Sequence, residues 1–424
     1  MNNERNPIEV LGLSSGAKLI SVYSELPLST ASVWFRAGAR FDPHGKEGLA
    51  HFFEHLLMTK TQKYPDKQQL LSAMSREGMR YNATTTYETA SYYYEQPDDK
   101  TYSALDFLVE GLNTSLITED DVHREKEVIL DEMSRRDNNP MRYIARLNHA
   151  ALWPQASLGR SLLGTQESLN GVALADVLKF KNDYYQSDNA AFLLIGNHDQ
   201  TKTVDAIEHS YRSSNKKALP LAPEDLGVPR LITVDYRPLN QVTVAVNFRT
   251  VAERSHADAV TLDFIASYYM ANPWIAQLNQ KMRLESNLTY WVNGSSINFY
   301  DTGFVNFVFS TTPDKCNKAL GTVFQEIEKL KAGKITRDDF EGCKALARAS
   351  FLRKSITPYD LMEWYGWQAK LGEKIYSPEE YLAEIMAIAP EDIQRIAQKY
   401  FVKENLAIAL IGPVKEGDIA LDWS

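Results

Sequence analysis

The feature that most constrains the fold of this 424-residue chain is that the chain repeats itself. Asp176–Gly196 reads DVLKFKNDYYQSDNAAFLLIG, and Asp392–Gly412 reads DIQRIAQKYFVKENLAIALIG. At a constant offset of 216, Asp176, Tyr184, Asn189, Ala191, Leu194, Ile195 and Gly196 recur without a gap. Each copy has the pattern of an amphipathic helix, a short polar turn and a buried apolar strand ending in glycine. A second pair lies at an offset of 218, where Ile117-Thr118-Glu119-Asp120-Asp121 matches Ile335-Thr336-Arg337-Asp338-Asp339. Thr118 and Thr336 are each placed to cap a helix, with acids in the first turn that suit its dipole. Two nearly equal offsets imply two copies of one domain.

The copies are expected at 1–208 and 229–424, joined by a polar linker over 209–228 that carries Pro220 and Pro223. Strand patterns fall at 31–35, 81–86, 91–95 and 191–195 in the first copy. In the second they fall at 242–248, 290–296 and 303–309, besides the repeated apolar strand. Helical stretches separate them. The fold class is therefore α+β, with two homologous domains, each a mixed β-sheet with helices packed against it.

Composition excludes several classes of function. A net charge of −9 offers no basic face for nucleic acid. No apolar run reaches the length of a membrane span. Cys316 and Cys343 are too few for a disulfide framework and have no metal-binding spacing. Met1–Pro7 lacks the apolar stretch of a signal peptide, so a cytoplasmic location is expected.

The chemistry is concentrated in Gly48-Leu49-Ala50-His51-Phe52-Phe53-Glu54-His55-Leu56-Leu57. On a helix, His51 and His55 at i, i+4 project from one face, as two imidazoles on one metal must. Glu54 falls on the same side, giving the inverted H-x-x-E-H signature. A catalytic zinc usually takes three protein ligands and leaves a position open, so the two histidines are one ligand short. The helical stretch Asp121–Glu132 offers Glu125 and Glu132, seven residues apart and so on one face. Carboxylates on a half-buried face need a cation to justify their burial. His123 near them reads as a surface residue, and His44, His149, His198, His209 and His256 fit no ligand spacing.

With these residues in view, the chain resembles the pitrilysin/insulinase family of zinc metallopeptidases, and in particular its two-domain bacterial members similar to mitochondrial processing peptidase. The resemblance runs from Phe35-Arg36-Ala37-Gly38-Ala39-Arg40 to Ile411-Gly412-Pro413. In that family the third ligand follows the second histidine by 77 positions, which here is Glu132, and a supporting carboxylate one heptad earlier is Glu125. The resemblance thus implies one zinc per chain on His51, His55 and Glu132, with Glu54 as general base toward the water that zinc activates. Carried back at 218, Glu125 and Glu132 correspond to Cys343 and Ser350, so the second copy is expected to lack a metal site.

The resemblance also implies how substrate is held. The strand containing Asn82, Ala83 and Thr84 would be an open edge to which a peptide adds as another strand. Arg283 and Tyr290, spaced by seven, would grip substrate and stabilise the oxyanion, although Leu284 stands where the family often has glutamate. Two copies would form half of a clamshell, closed by a second chain. A homodimer that hydrolyses unfolded peptides inside its chamber is the expectation, with a heterodimer beside a homologous subunit as a second arrangement. A dedicated leader-processing peptidase and a non-catalytic peptide-binding subunit are the competing readings, and the ligand set also suits manganese or cobalt.

Overall fold

Among the described residues, alternating and continuous apolar runs fold into eleven strands: β1 (Ile8–Gly12), β2 (Lys18–Tyr23), β3 (Leu28–Phe35), β4 (Arg80–Thr85), β5 (Ala90–Pro97), β6 (Ala190–Gly196), β7 (Ile232–Tyr236), β8 (Val242–Thr250), β9 (Val292–Asn298), β10 (Gly303–Thr311) and β11 (Leu406–Gly412). The computed structural model describes residues 8–212, 216–252, 256–271, 275–371, 375–421 and 423. Met1–Pro7, read for a signal peptide, and Ser213–Asn215 of the expected linker lie outside the described residues, as does the side chain of His256. Among the described residues no helix is long and apolar enough to cross a membrane.

The strands form two sheets, ordered β1-β2-β6-β3-β5-β4 and β7-β11-β8-β10-β9. In the first, β6 runs parallel to β2 and antiparallel to β3, and in the second β11 runs parallel to β7 and antiparallel to β8. The repeated segments therefore occupy equivalent places, and both strands are buried at every residue. The identical residues do identical work. Asp176 accepts the Ala173 amide at 3.0 Å, as Asp392 accepts that of Ala389 at 3.0 Å. Asn189 donates to the Tyr184 carbonyl at 2.8 Å, as Asn405 does to that of Tyr400 at 3.0 Å. The repeat is thus a repeat of helix caps and strand entries as well as of apolar pattern.

Two compact units each draw on both copies of the sequence. One unit takes residues 1–134, 161–223 and 354–377, and the other takes 135–160, 224–353 and 378–424. The reason is an exchange of helices. Period-two alternation gives the first sheet two apolar faces. On one, Ala31, Val33, Phe35, Tyr92, Tyr94, Phe192 and Leu194 join the main core. On the other, Ile20, Val22, Trp34, Tyr93, Leu193 and Ile195 are covered by Leu361, Met362 and Tyr365 of the Pro358–Leu371 helix, which belongs to the second copy in sequence. In the other unit, Ala245, Val308, Ala409 and Ile411 are covered by Ile144 and Leu147 of the Pro140–Leu152 helix, which belongs to the first. His149 on that helix is buried, its Nδ1 2.9 Å from the Leu158 carbonyl, and burial pushes its pKa down to about 3, so it is a neutral structural histidine.

Candidate metal centre

The H-x-x-E-H segment is a helix over Leu49–Leu57 whose Leu49, Ala50, His51, Phe52, Phe53, Leu56 and Leu57 are all buried. A helix apolar on most sides belongs inside a core, and this one packs on the Val33, Phe35 and Tyr92 face of the first sheet. Its start is set by Gly48, at φ 91°, where an added Cβ would lie 2.5 Å from the Leu163 carbonyl oxygen. Asp42 caps it from a distance, accepting the Gly48 and Ala50 amides at 2.7 Å each. Glu54 and His55 are the residues left partly exposed within the helix.

The second contributor is the helix Glu119–Asp137, anchored by buried Val122 and Ile129. Those anchors sit three residues before Glu125 and Glu132, so both carboxylates are delivered to one face. Val128, between them in sequence, is 48% exposed, because the helix turns that position outward.

Glu132 Oε2 lies 3.7 Å from His51 Nε2 and 3.6 Å from His55 Nε2, and the three ligating atoms all fall within 4.8 Å of one another. Bonds of about 2.0–2.1 Å to a tetrahedral zinc put ligand atoms roughly 3.3–3.4 Å apart, so these residues fit the ion with little movement. Glu54 Oε2 is 4.0 Å from His51 Nε2. His55 Nδ1 is 3.1 Å from Glu125 Oε1, a contact that would keep a proton on Nδ1 and so reserve Nε2 for a metal once one displaces the second proton. Burial pushes the His55 pKa down, but Glu125, Glu132 and Glu54 outweigh it and raise it to about 9. A site that holds a proton so firmly is one that favours a cation. Burial pulls the Glu125 pKa up, and the hydrogen bond to His55 with Lys67 at 4.0 Å brings it below the usual value.

Two sets of neighbours escaped the reading of the sequence. Thr85 Oγ1 donates to Glu54 Oε2 at 2.7 Å. Behind the helix, the Tyr92 and Tyr185 hydroxyls are 2.9 Å apart and Phe53 packs on Tyr185 at 4.5 Å. Burial raises the Tyr81, Tyr92 and Tyr185 phenols, Tyr94 adds to it at Tyr81 and Tyr185 at Tyr92, and the Glu54 carboxylate adds a smaller push at all three, so they stay neutral. Thr85 was within reach of the sequence, since period-two alternation puts it opposite Asn82 and Thr84 once the strand is assigned.

Asn82, Ala83 and Thr84 lie on β4, the last strand of its sheet. It bonds β5 on one side and meets no strand on the other among the described residues. Asn82 and Thr84 are exposed and Ala83 partly so. The Asn82 side chain donates to the Tyr93 hydroxyl at 3.1 Å, on the sheet face away from Glu54. Arg283 and Tyr290 belong to the other unit, where the guanidinium carbon lies 4.7 Å over the Tyr290 ring and Tyr290 is 77% exposed. In that unit Cys343 is buried, and among the described residues no second group of three ligating side chains occurs.

The chain has relatives among known proteins. Residues 18–166 match the family described as insulinase (peptidase family M16), and residues 171–346 match the peptidase M16 inactive domain. The mitochondrial-processing peptidase subunit beta of Homo sapiens is 24% identical over 418 residues, covering 95% of this chain and 84% of that one. An uncharacterized zinc protease of Rickettsia bellii is 24% identical over 380 residues, covering 89% of this chain and 90% of that one. A protease from Helicobacter pylori has the same fold, with a TM-score of 0.88 at 20% identity over 96% of this chain and 99% of that one. So does a peptidase M16 inactive domain structure from Pseudomonas fluorescens, with a TM-score of 0.86 at 18% identity over 96% and 98%.

Proposed function

This chain belongs to the insulinase (M16) peptidase family, and from that premise we propose that it is a zinc-dependent endopeptidase acting on unfolded peptides. The observation that carries the proposal is the convergence of His51 Nε2, His55 Nε2 and Glu132 Oε2, with Glu54 beside them. When bound there, zinc polarises the scissile carbonyl and makes water easier to deprotonate. Glu54 takes the proton of the attacking water and delivers it to the leaving amine. Glu125 keeps the His55 ring in the tautomer that frees Nε2. The β4 edge supplies backbone donors and acceptors for an extended peptide through Asn82, Ala83 and Thr84, a mode that tolerates varied sequences. Arg283 and Tyr290, already stacked on each other, would grip the peptide and receive the oxyanion's charge.

A chain with two copies of the domain would complete its chamber with a second chain. A homodimer follows from one chain carrying both the H-x-x-E-H motif and the arginine–tyrosine pair. A second reading, leader processing beside a partner subunit, is favoured by the relative named as a subunit, which matches 95% of this chain. A cleavage profile over a peptide library separates the two, because a narrow profile goes with processing and a broad one with general hydrolysis.

The proposal is tested with the wild type beside Glu54→Gln. Both should hold one zinc per chain, while the variant loses hydrolysis by on the order of 10²–10⁴-fold. Wild-type protein that holds zinc yet cleaves no peptide would sink it.

A further inference from the structure

We infer that Thr85 is a positioning residue for Glu54, and that the segment Gly38–Asp42 sets its reach by clamping the strand end that carries Thr85 to the helix that carries Glu54. The inference rests on the peptidase reading for its catalytic consequence, though not for its geometry.

A general base needs its carboxylate aimed, and Glu54 is held at one oxygen. Thr85 Oγ1 donates to Oε2 at 2.7 Å, which fixes the plane of the carboxylate and the rotation about its last bond. The hydroxyl itself stands on the last residue of β4, where a strand would ordinarily fray. Here the following turn is closed tightly. The Thr86 amide donates to the Thr89 carbonyl at 2.8 Å, and the Thr86 side chain accepts the Glu88 and Thr89 amides at 3.2 and 2.9 Å.

That turn is then docked onto residues 38–42. The Ala39 amide donates to the Thr86 carbonyl at 3.0 Å and the Arg40 amide to the Tyr87 carbonyl at 2.8 Å. Arg40 Nη1 and Glu88 Oε1 form an ion pair at 2.6 Å with both side chains at most 2% exposed. At Gly38 an added Cβ would lie 2.5 Å from the Thr86 oxygen and the Glu88 nitrogen, so the approach is possible only for glycine. Four residues after Gly38, Asp42 accepts the first amides of the Glu54 helix. Five consecutive residues thus hold both partners of the Thr85–Glu54 contact, from opposite ends. Breaking a buried ion pair leaves an uncompensated charge, so Arg40 and Glu88 resist separation of the turn after Thr85 from residues 38–42.

The test compares Thr85→Val, which keeps shape and removes the hydroxyl, with Thr85→Ser, which keeps the hydroxyl. On zinc-loaded protein, Thr85→Val should lower kcat by roughly 10–100-fold, the range for groups that orient site residues, while KM and zinc content stay at the wild-type values. Thr85→Ser should recover most of the rate. On zinc-free protein, a double-mutant cycle in denaturant midpoint between Thr85→Val and Glu54→Ala should be non-additive, since each change removes the same contact. Additive midpoints, or Thr85→Val turning over at the wild-type rate, overturn the inference. If the cycle is non-additive and the wild type cleaves no peptide, the placement of Glu54 stands and it is the peptidase reading that fails.

Discussion

Replacing Glu125 by glutamine tests how the second carboxylate of the Glu119–Asp137 helix serves the metal. In the wild type, the His55 Nδ1–H donates to Glu125 Oε1 at 3.1 Å, with the two side chains 19% and 14% exposed. A hydrogen bond to a charged group contributes about 1.5–3 kcal/mol, and a neutral one about 1 kcal/mol. Glutamine still accepts through its oxygen, so the ring keeps its tautomer and loses only the charge. The cost is about 1–2 kcal/mol, which is roughly 5–30-fold in zinc affinity. Alanine removes the acceptor as well and should cost about 1.5–3 kcal/mol, or roughly 10–150-fold. Lys67, 4.0 Å from Glu125 and 55% exposed, is too solvated to alter this order. Zinc affinity is read by competition with a chromophoric chelator at fixed pH and salt. Wild type, glutamine and alanine should fall in that order, with the glutamine variant active once saturated with zinc. If the alanine variant binds zinc as tightly as wild type, the Nδ1 contact does not hold His55 and the reasoning is wrong.

Two further predictions concern the frame around the site. Glu88→Ala leaves the Arg40 guanidinium buried without its partner carboxylate and should destabilise the zinc-free protein by about 3–5 kcal/mol, read as a fall in denaturant midpoint; a change under 1 kcal/mol would show that water reaches Arg40. A fragment ending at 223 lacks the helix whose Leu361, Met362 and Tyr365 cover Ile20, Trp34 and Leu193. Each such apolar side chain contributes about 1.5–3 kcal/mol on burial, so their loss rivals the ~5–15 kcal/mol net stability of a domain. The fragment should bind a hydrophobic dye and lack a cooperative transition, and a peptide of residues 354–377 should restore one. A fragment that unfolds cooperatively by itself would refute the exchange as a stability requirement.

Much of this was legible in the sequence because it is local. The i, i+4 spacing of His51 and His55 fixes their common face wherever the helix lies, and the heptad between Glu125 and Glu132 does the same for the carboxylates. The repeat was readable because Asp176, Asn189 and their copies make contacts within a few residues of themselves, so each copy carries its own instructions. The strands β1, β2 and β7 were not read, since short segments bearing Lys18 or Asp235 show no clean alternation until a neighbouring strand pairs with them.

What the amino-acid sequence determined by itself was the set of faces: which residues share a helix side, which strands are buried throughout, and which copy carries the H-x-x-E-H motif. What only the tertiary structure decided was which faces meet. An apolar stripe on Pro358–Leu371 specifies that the helix must be covered, but the hydrophobic effect has no direction, and nothing within that stripe says that its cover is a sheet more than 160 residues earlier in the chain. The contact between Thr85 and Glu54 is of the same kind, since its length depends on strand register, turn docking and helix start together, three choices made in space.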